Sequence, residues 1–174
     1  SNDVPVITLN GVSKVYFAPG WRVGYMAWHD PKLVLSSVRD GVERLLRSRL
    51  CASTPAQYGF LAGLTDETDW LESHRSTIQE RLEYSISRIN DIEGLECHPP
   101  GGAFYLFVKI KDPDLSKDDK KFVLDLLHKK HVLVVHGSGF STEMGKGHFR
   151  MVSLPDLAIL EEAFDRIDSF IRES

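Results

Sequence analysis

The sequence predicts an α/β protein, on three observations. Short apolar runs rich in β-branched residues, the first at Val4, Val6, Ile7 and Leu9, alternate with stretches whose apolar residues recur at three- and four-residue spacing. Gly, Pro, Ser and Asp clusters separate these stretches. From Gly94 onward the order is strand, strand, helix, strand, strand, helix, as in a packed α/β layer.

Residues 4–9 read as a strand too apolar for a half-solvated edge, so Pro5 is expected near its start. A loop over 10–14 and a turn at Phe17-Ala18-Pro19-Gly20 lead to a second buried strand over 22–28. Asp30-Pro31 reads as a helix start, a capping oxygen followed by proline at the first helical position. Val34, Val38, Val42, Leu45 and Leu46 follow at helical spacing. Ser53-Thr54-Pro55 interrupts them, and a short helix is expected over 55–64.

The longest periodic stretch, 65–91, holds no Gly or Pro, carries Trp70, Leu71, Ile78, Leu82, Ile86 and Ile89 on one side, and is closed by Gly94. Residues 95–98 and 103–109 read as strands around Pro99-Pro100-Gly101-Gly102. Ser116 with Asp119 is expected to cap a helix ending near Lys130. Residues 132–135 and 148–153 read as strands, and 155–172 as an amphipathic helix with Leu160, Phe164, Ile167 and Ile171 on one side. The chain therefore divides into 1–66, a helix over 67–93, and 94–174. The last segment reads as self-contained. The first has two buried-type strands and two helices, too few strands for a sheet covered on both faces.

Composition narrows the function classes. The 174 residues are 42% apolar and 26% charged, a globular and not a disordered balance. Lys plus Arg is 21 against 25 Asp plus Glu, a net charge of −4 that argues against nucleic-acid binding as the main role. No apolar run is long enough for a membrane helix, and the first ten residues lack the basic and apolar regions of a signal peptide. Cys51 and Cys97 support neither a disulfide framework nor a cysteine-rich zinc site, so a reducing, cytoplasmic setting is expected. His128 and His131 stand at the basic end of a helix with no carboxylate or thiol at ligand spacing, so no metal is expected.

The segment from Gly11 to Gly24 carries the chemistry. It places Ser13 and Lys14 in a Gly/Ser connection after a strand, with Arg22 eight residues on between Gly20 and Gly24. A lysine amine that is partly desolvated can attack an aldehyde to form an imine. A guanidinium can grip a phosphate with parallel hydrogen bonds. Pyridoxal phosphate carries both groups. By themselves, a lysine and an arginine eight apart are usually solvent-facing charges.

The ordered set Gly11, Ser13, Lys14, Gly20, Arg22 and Gly24 resembles the pyridoxal-phosphate lysine signature of class I/II aminotransferases, the fold-type I enzymes. Phe17 departs from the pattern, where small or aliphatic residues are usual. The resemblance implies that Lys14 forms the Schiff base and then shuttles a proton at the substrate's α-carbon, while Ser13 and Arg22 hold the cofactor phosphate. Gly101-Gly102-Ala103-Phe104-Tyr105 resembles the glycine-rich strand beside the substrate, which brings in Gly102. His148-Phe149-Arg150-Met151-Val152-Ser153 resembles the strand whose arginine, here Arg150, binds the substrate α-carboxylate. Upstream, His136 stands where the family's loop has proline.

The run from Arg49 to Gln57 resembles a stretch near the dimer interface in alanine and aspartate aminotransferases. Arg49 is a candidate for a distal carboxylate, or alternatively an interface or surface arginine.

This likeness spans residues 6–170 but only the C-terminal half of the family's enzymes. It implies a remnant of the large cofactor-binding domain, a connecting helix and a complete small domain. It also implies amino-acid and 2-oxo-acid substrates and a homodimer, with no nucleic-acid or membrane partner. The residues that pair with the cofactor's pyridine nitrogen lie outside the resemblance, so the chain alone is expected to be inactive. A lyase or decarboxylase of the same fold, and an aminotransferase-like effector domain of a transcription regulator, stay open as alternatives.

Overall fold

A computed structural model describes residues 3–66 and 69–174, and the chain separates into two units, Ser1–Leu71 and Glu72–Ser174. In the first unit β1 (Val6–Gly11) pairs antiparallel with β2 (Gly24–His29), in register from Val6 opposite His29 to Gly11 opposite Gly24. These are not the buried strands expected from their apolar content: Leu9 is 70% exposed, and Ile7, Tyr25 and Met26 are exposed as well. A two-stranded ribbon has no second layer to cover it. The expected loop over 10–14 contains instead a single helical turn, α1 (Val12–Val15).

The helix expected at Pro31 begins later, as α2 (Ser36–Arg49). Asp30 does accept backbone hydrogen bonds, from Val34 at 3.0 Å and Leu35 at 2.8 Å. Leu33, at φ 54°, is outside helical space, so the capped turn cannot run on into the helix. The next helix, α3 (Thr54–Thr65), starts where the Ser-Thr-Pro signal places it. The core of this unit is Val12, Val23, Ala56 and Phe60, with Tyr16 and Ala18 packed against it. Tyr16 meets Phe60 edge-on at 5.9 Å, and Tyr25 stacks on Phe60 at 5.9 Å. α2 buries no residue, and its stripe of Val38, Leu45 and Leu46 faces solvent.

The long helix α4 (Trp70–Asp91) falls in the second unit from Glu72 onward. Residues 67 and 68, which the periodicity assigns to this helix, lie outside the described residues. Antiparallel strands follow in the spatial order β3-β4-β6-β5, with β3 Leu95–Cys97, β4 Tyr105–Ile110, β5 Val135–His136 and β6 His148–Val152. The strand expected over 132–135 is reduced to β5, and its upstream residues run without strand pairing. Helices α5 (Asp119–Lys130) and α6 (Leu157–Arg172) complete the unit.

The N-cap of α5 is Asp118, which accepts the Lys121 N–H at 2.9 Å. Ser116 lies in a 3-10 turn before it, and Asp119 is turned inward. Alternation along β4 and β6 gives the sheet two faces. Leu106, Val108, Ile110, Phe149 and Met151 are buried with Ile89, Leu126 and Phe164 in one core. Phe107, Lys109 and Val152 face out, with Tyr105, His148 and Arg150 half-buried beside them.

Ion pairs lie around the rim of this core: Arg88 to Asp165 at 2.6 Å, Arg81 to Asp156, and Lys130 to Glu173 at 2.7 Å. The hydrogen bond from Lys130, with a second from Ser169, holds the Glu173 carboxyl below its usual range. Such exposed pairs fix geometry more than they stabilise. Among the described residues no helix is long and apolar enough to cross a membrane, and no cluster of His, Cys, Asp and Glu could hold a metal.

The two thiols differ in a way that can be tested. Cys97 is buried in β3, and burial pushes its thiol pKa up, whereas Cys51 is exposed. Iodoacetamide at mildly alkaline pH should label Cys51 in the folded chain and reach Cys97 only in denaturant. Peptide mass spectra showing equal labelling of both under native conditions would contradict this placement.

Candidate functional site

Lys14, Ser13 and Arg22 lie on one connection, between the ends of β1 and β2. The ladder closes at Gly11 opposite Gly24, and one further hydrogen bond runs from Val12 N–H to the Val23 carbonyl at 3.3 Å. Ser13 follows Val12 and Arg22 precedes Val23, so each stands one residue beyond that last pairing. The close approach depends on Gly24: a Cβ there would stand 2.6 Å from the Asn10 carbonyl oxygen. Ser13 is half-buried and Lys14 exposed, both on the α1 turn whose Val12 plugs the core at 1% exposure.

Arg22 is exposed and left-handed, at φ 53°, and its Nη1 donates to the Pro19 carbonyl at 2.7 Å. That bond folds the side chain back over the 3-10 turn Pro19–Trp21 and leaves other guanidinium N–H groups for an acceptor. One amine, one hydroxyl and one guanidinium on a single short connection are a donor set that fits an aldehyde and a phosphate on one small molecule.

Arg150 lies on the outer face of the second unit's sheet. It occupies the middle of β6, opposite Phe107 of β4 and Val135 of β5. Its guanidinium carbon is 4.6 Å from the centre of the Tyr105 ring and 4.3 Å from that of Phe140. Contacts of this kind use the flat face of the guanidinium and leave its N–H edge for a planar acceptor such as a carboxylate.

Gly102 is exposed in the bend before β4, and a Cβ on it would meet nothing within 4 Å. The left-handed conformation in that bend belongs to Ala103, at φ 64°, and not to Gly102. Arg49 is exposed in the last turn of α2, where Leu50 at φ 60° ends the helix. The structure thus brings Ser13, Lys14 and Arg22 onto one connection. Gly102 and Arg150 belong to the other unit, and Arg49 stands apart at a helix end.

Sequence reasoning assigned no role to Tyr105 or Phe140, the two rings on Arg150. Tyr105 was legible as sharing one strand face with Phe107, while its nearness to Arg150 comes from the register of β4 against β6. Phe140 was not, because only the folded loop after Gly137-Ser138-Gly139 brings it to the sheet.

The model of the family described as "Aminotransferase class I and II" matches residues 1–167 of the chain. The glutamate-pyruvate aminotransferase AlaA of Haemophilus influenzae is 35% identical over 98% of this chain and 43% of its own length. The aspartate aminotransferase of Bacillus subtilis is 32% identical over 96% of this chain and 41% of its own length. Among solved structures, an alanine aminotransferase from Pyrococcus furiosus superposes with a TM-score of 0.93 at 53% identity, over 100% of this chain and 44% of that one. The chain therefore spans less than half the length of the relatives it matches, and over that span it belongs to the class I and II aminotransferase family.

Proposed function

We propose that this chain contributes the reactive lysine and the carboxylate-binding arginine of a pyridoxal-phosphate-dependent aminotransferase. The enzyme would move an amino group from an amino acid of the alanine or aspartate type to a 2-oxo acid. The observation that carries the reading is the donor set Ser13, Lys14 and Arg22 on one strand-to-strand connection, in a chain that matches the family over residues 1–167.

When bound, the cofactor supplies an aldehyde for the amino group and a ring that withdraws electrons from the substrate's α-carbon. The Arg22 guanidinium and the Ser13 hydroxyl hold the phosphate and so orient the rest of the molecule toward Lys14. The Lys14 amine is the nucleophile toward the aldehyde. The same amine would take the proton from the substrate α-carbon and later return it. Arg150 binds the α-carboxylate of amino acid and oxo acid alike, so both half-reactions use one substrate position. Gly102, where a Cβ would meet nothing within 4 Å, would leave room for the substrate, and Arg49 would serve a distal carboxylate or a subunit contact.

A homodimer fits the exposed apolar residues of the first unit, among them Leu9, Leu45 and Leu46. A cytoplasmic setting fits two unpaired cysteines.

Borohydride trapping tests the central role. After incubation with pyridoxal phosphate and reduction, the phosphopyridoxyl group should be found chiefly on the peptide containing Lys14, and Lys14→Ala should remove most of it. Label spread evenly over the surface lysines, unchanged in Lys14→Ala, would end the proposal.

A further inference from the structure

The outer face of the second unit's sheet is built more elaborately than a lone surface arginine requires. Phe140 contacts the Arg150 guanidinium and also meets Phe107 edge-on at 6.3 Å, and Phe107 stacks on His148 at 5.0 Å. Phe140 is not part of the sheet. It follows the 3-10 turn Gly137–Gly139, and its N–H donates back to the Gly137 carbonyl at 2.8 Å.

That turn is pinned from below by a buried carboxylate. Asp119, 4% exposed in the first turn of α5, accepts the Ser138 N–H at 2.6 Å and the Ser138 hydroxyl at 2.9 Å. The hydroxyl's single hydrogen goes to Asp119, so the His136 Nδ1, 3.0 Å from Ser138 Oγ, fills the donor role. Asp119 is not needed as the helix cap, because Asp118 already serves. Both of its hydrogen bonds go to Ser138. Burying a carboxylate is costly unless it is well bonded, so this one is retained for what it holds in place.

We infer that Asp119 and Ser138 are positioning residues: they lock the 137–140 turn so that Phe140 braces Arg150 and keeps its N–H edge presented to a small carboxylate. The inference rests on the reading of Arg150 as the carboxylate-binding residue. Asp119 acts through Ser138 and Phe140 and does not itself meet the ligand. Bracing removes the rotamer freedom that a long exposed arginine would otherwise lose on binding.

Nuclear magnetic resonance of the arginine Nε–Hε groups of the 174-residue chain, with pyruvate as titrant, tests this. In the unsubstituted chain Arg150 Nε should be ordered and should shift on pyruvate addition. Phe140→Ala and Asp119→Ala should each drop its order parameter to about 0.6 or below and weaken pyruvate binding about tenfold. Signals of the buried core should stay in place, and Phe140→Tyr should restore both properties.

Phe140 is half exposed, so if Asp119→Ala does not fold, Phe140→Ala with its Tyr rescue still decides. A merely structural Asp119 would lower the melting temperature while leaving Arg150 order and pyruvate affinity unchanged, which would overturn the inference. Binding retained in both variants would overturn the brace alone. No response of Arg150 to pyruvate in the unsubstituted chain would overturn the carboxylate reading and the brace together.

Discussion

Replacing Phe149 by alanine is expected to destabilise the second unit by about 3–5 kcal/mol. Phe149 is fully buried in β6, opposite Val108 of β4 and His136 of β5, and its ring stacks on Phe122 of α5 at 5.6 Å. Strand β6 sits between β4 and β5, so neither neighbouring strand can close in to fill the cavity. A domain of this size has about 5–15 kcal/mol in hand, so the loss is a large fraction of its stability. Phe149→Leu keeps most of the volume and should cost roughly 1–1.5 kcal/mol.

The measurement is a urea titration read by circular dichroism. All three tryptophans, Trp21, Trp28 and Trp70, belong to the first unit, so tryptophan fluorescence serves as an internal comparison. An unmoved circular-dichroism midpoint in Phe149→Ala would mean that this core is not as packed as described.

The second large effect is expected at Gly137. A Cβ there would stand 2.2 Å from the Gly145 carbonyl oxygen and 2.8 Å from that of His148. These are backbone atoms, held by the Gly145 N–H to Ser141 and His148 N–H to Gly145 hydrogen bonds, and they cannot swing away as a side chain can. Gly137→Ala should therefore cost about 1–3 kcal/mol through forced backbone displacement. Gly145→Ala creates the reciprocal clash, with its Cβ 2.0 Å from the Gly137 carbonyl oxygen. The two changes strike the same contact, so the double variant should lose less than the sum of the singles. Thermal melts of the three variants check this, and strictly additive losses would show that the glycines are not each other's constraint.

The elements that were readable in advance are those set by local chemistry. Strands β4 and β6 follow from apolar runs and alternation, and α6 from Leu160, Phe164 and Ile167 at helical spacing, all three of which are buried. The start of α3 follows from Thr54 and Pro55. The failures arise where something beyond local propensity decides. Asp30 and Pro31 carry the signals of a helix start, yet Leu33 turns left-handed and the helix waits for Ser36. Asp119 reads as part of a cap, yet its carboxylate is drawn to Ser138, nineteen residues away, while Asp118 caps the helix. The apolar content of β1 reads as burial, but burial needs a covering layer, which is a property of an assembly and not of a segment.

By itself, then, the sequence determined the α/β alternation, because residue type and short-range period suffice for it, whereas Ser13, Lys14, Arg22 and Arg150 were singled out through the resemblance of their segments to a known family. Tertiary structure alone decided how Gly24 lets β1 and β2 close behind the lysine turn, and how Asp119 and Ser138 fix a distant loop that brings Phe140 to Arg150. The physical reason is that these features are contacts between backbone and side-chain atoms far apart in the chain. No local propensity encodes such contacts, and they exist only once the elements have packed.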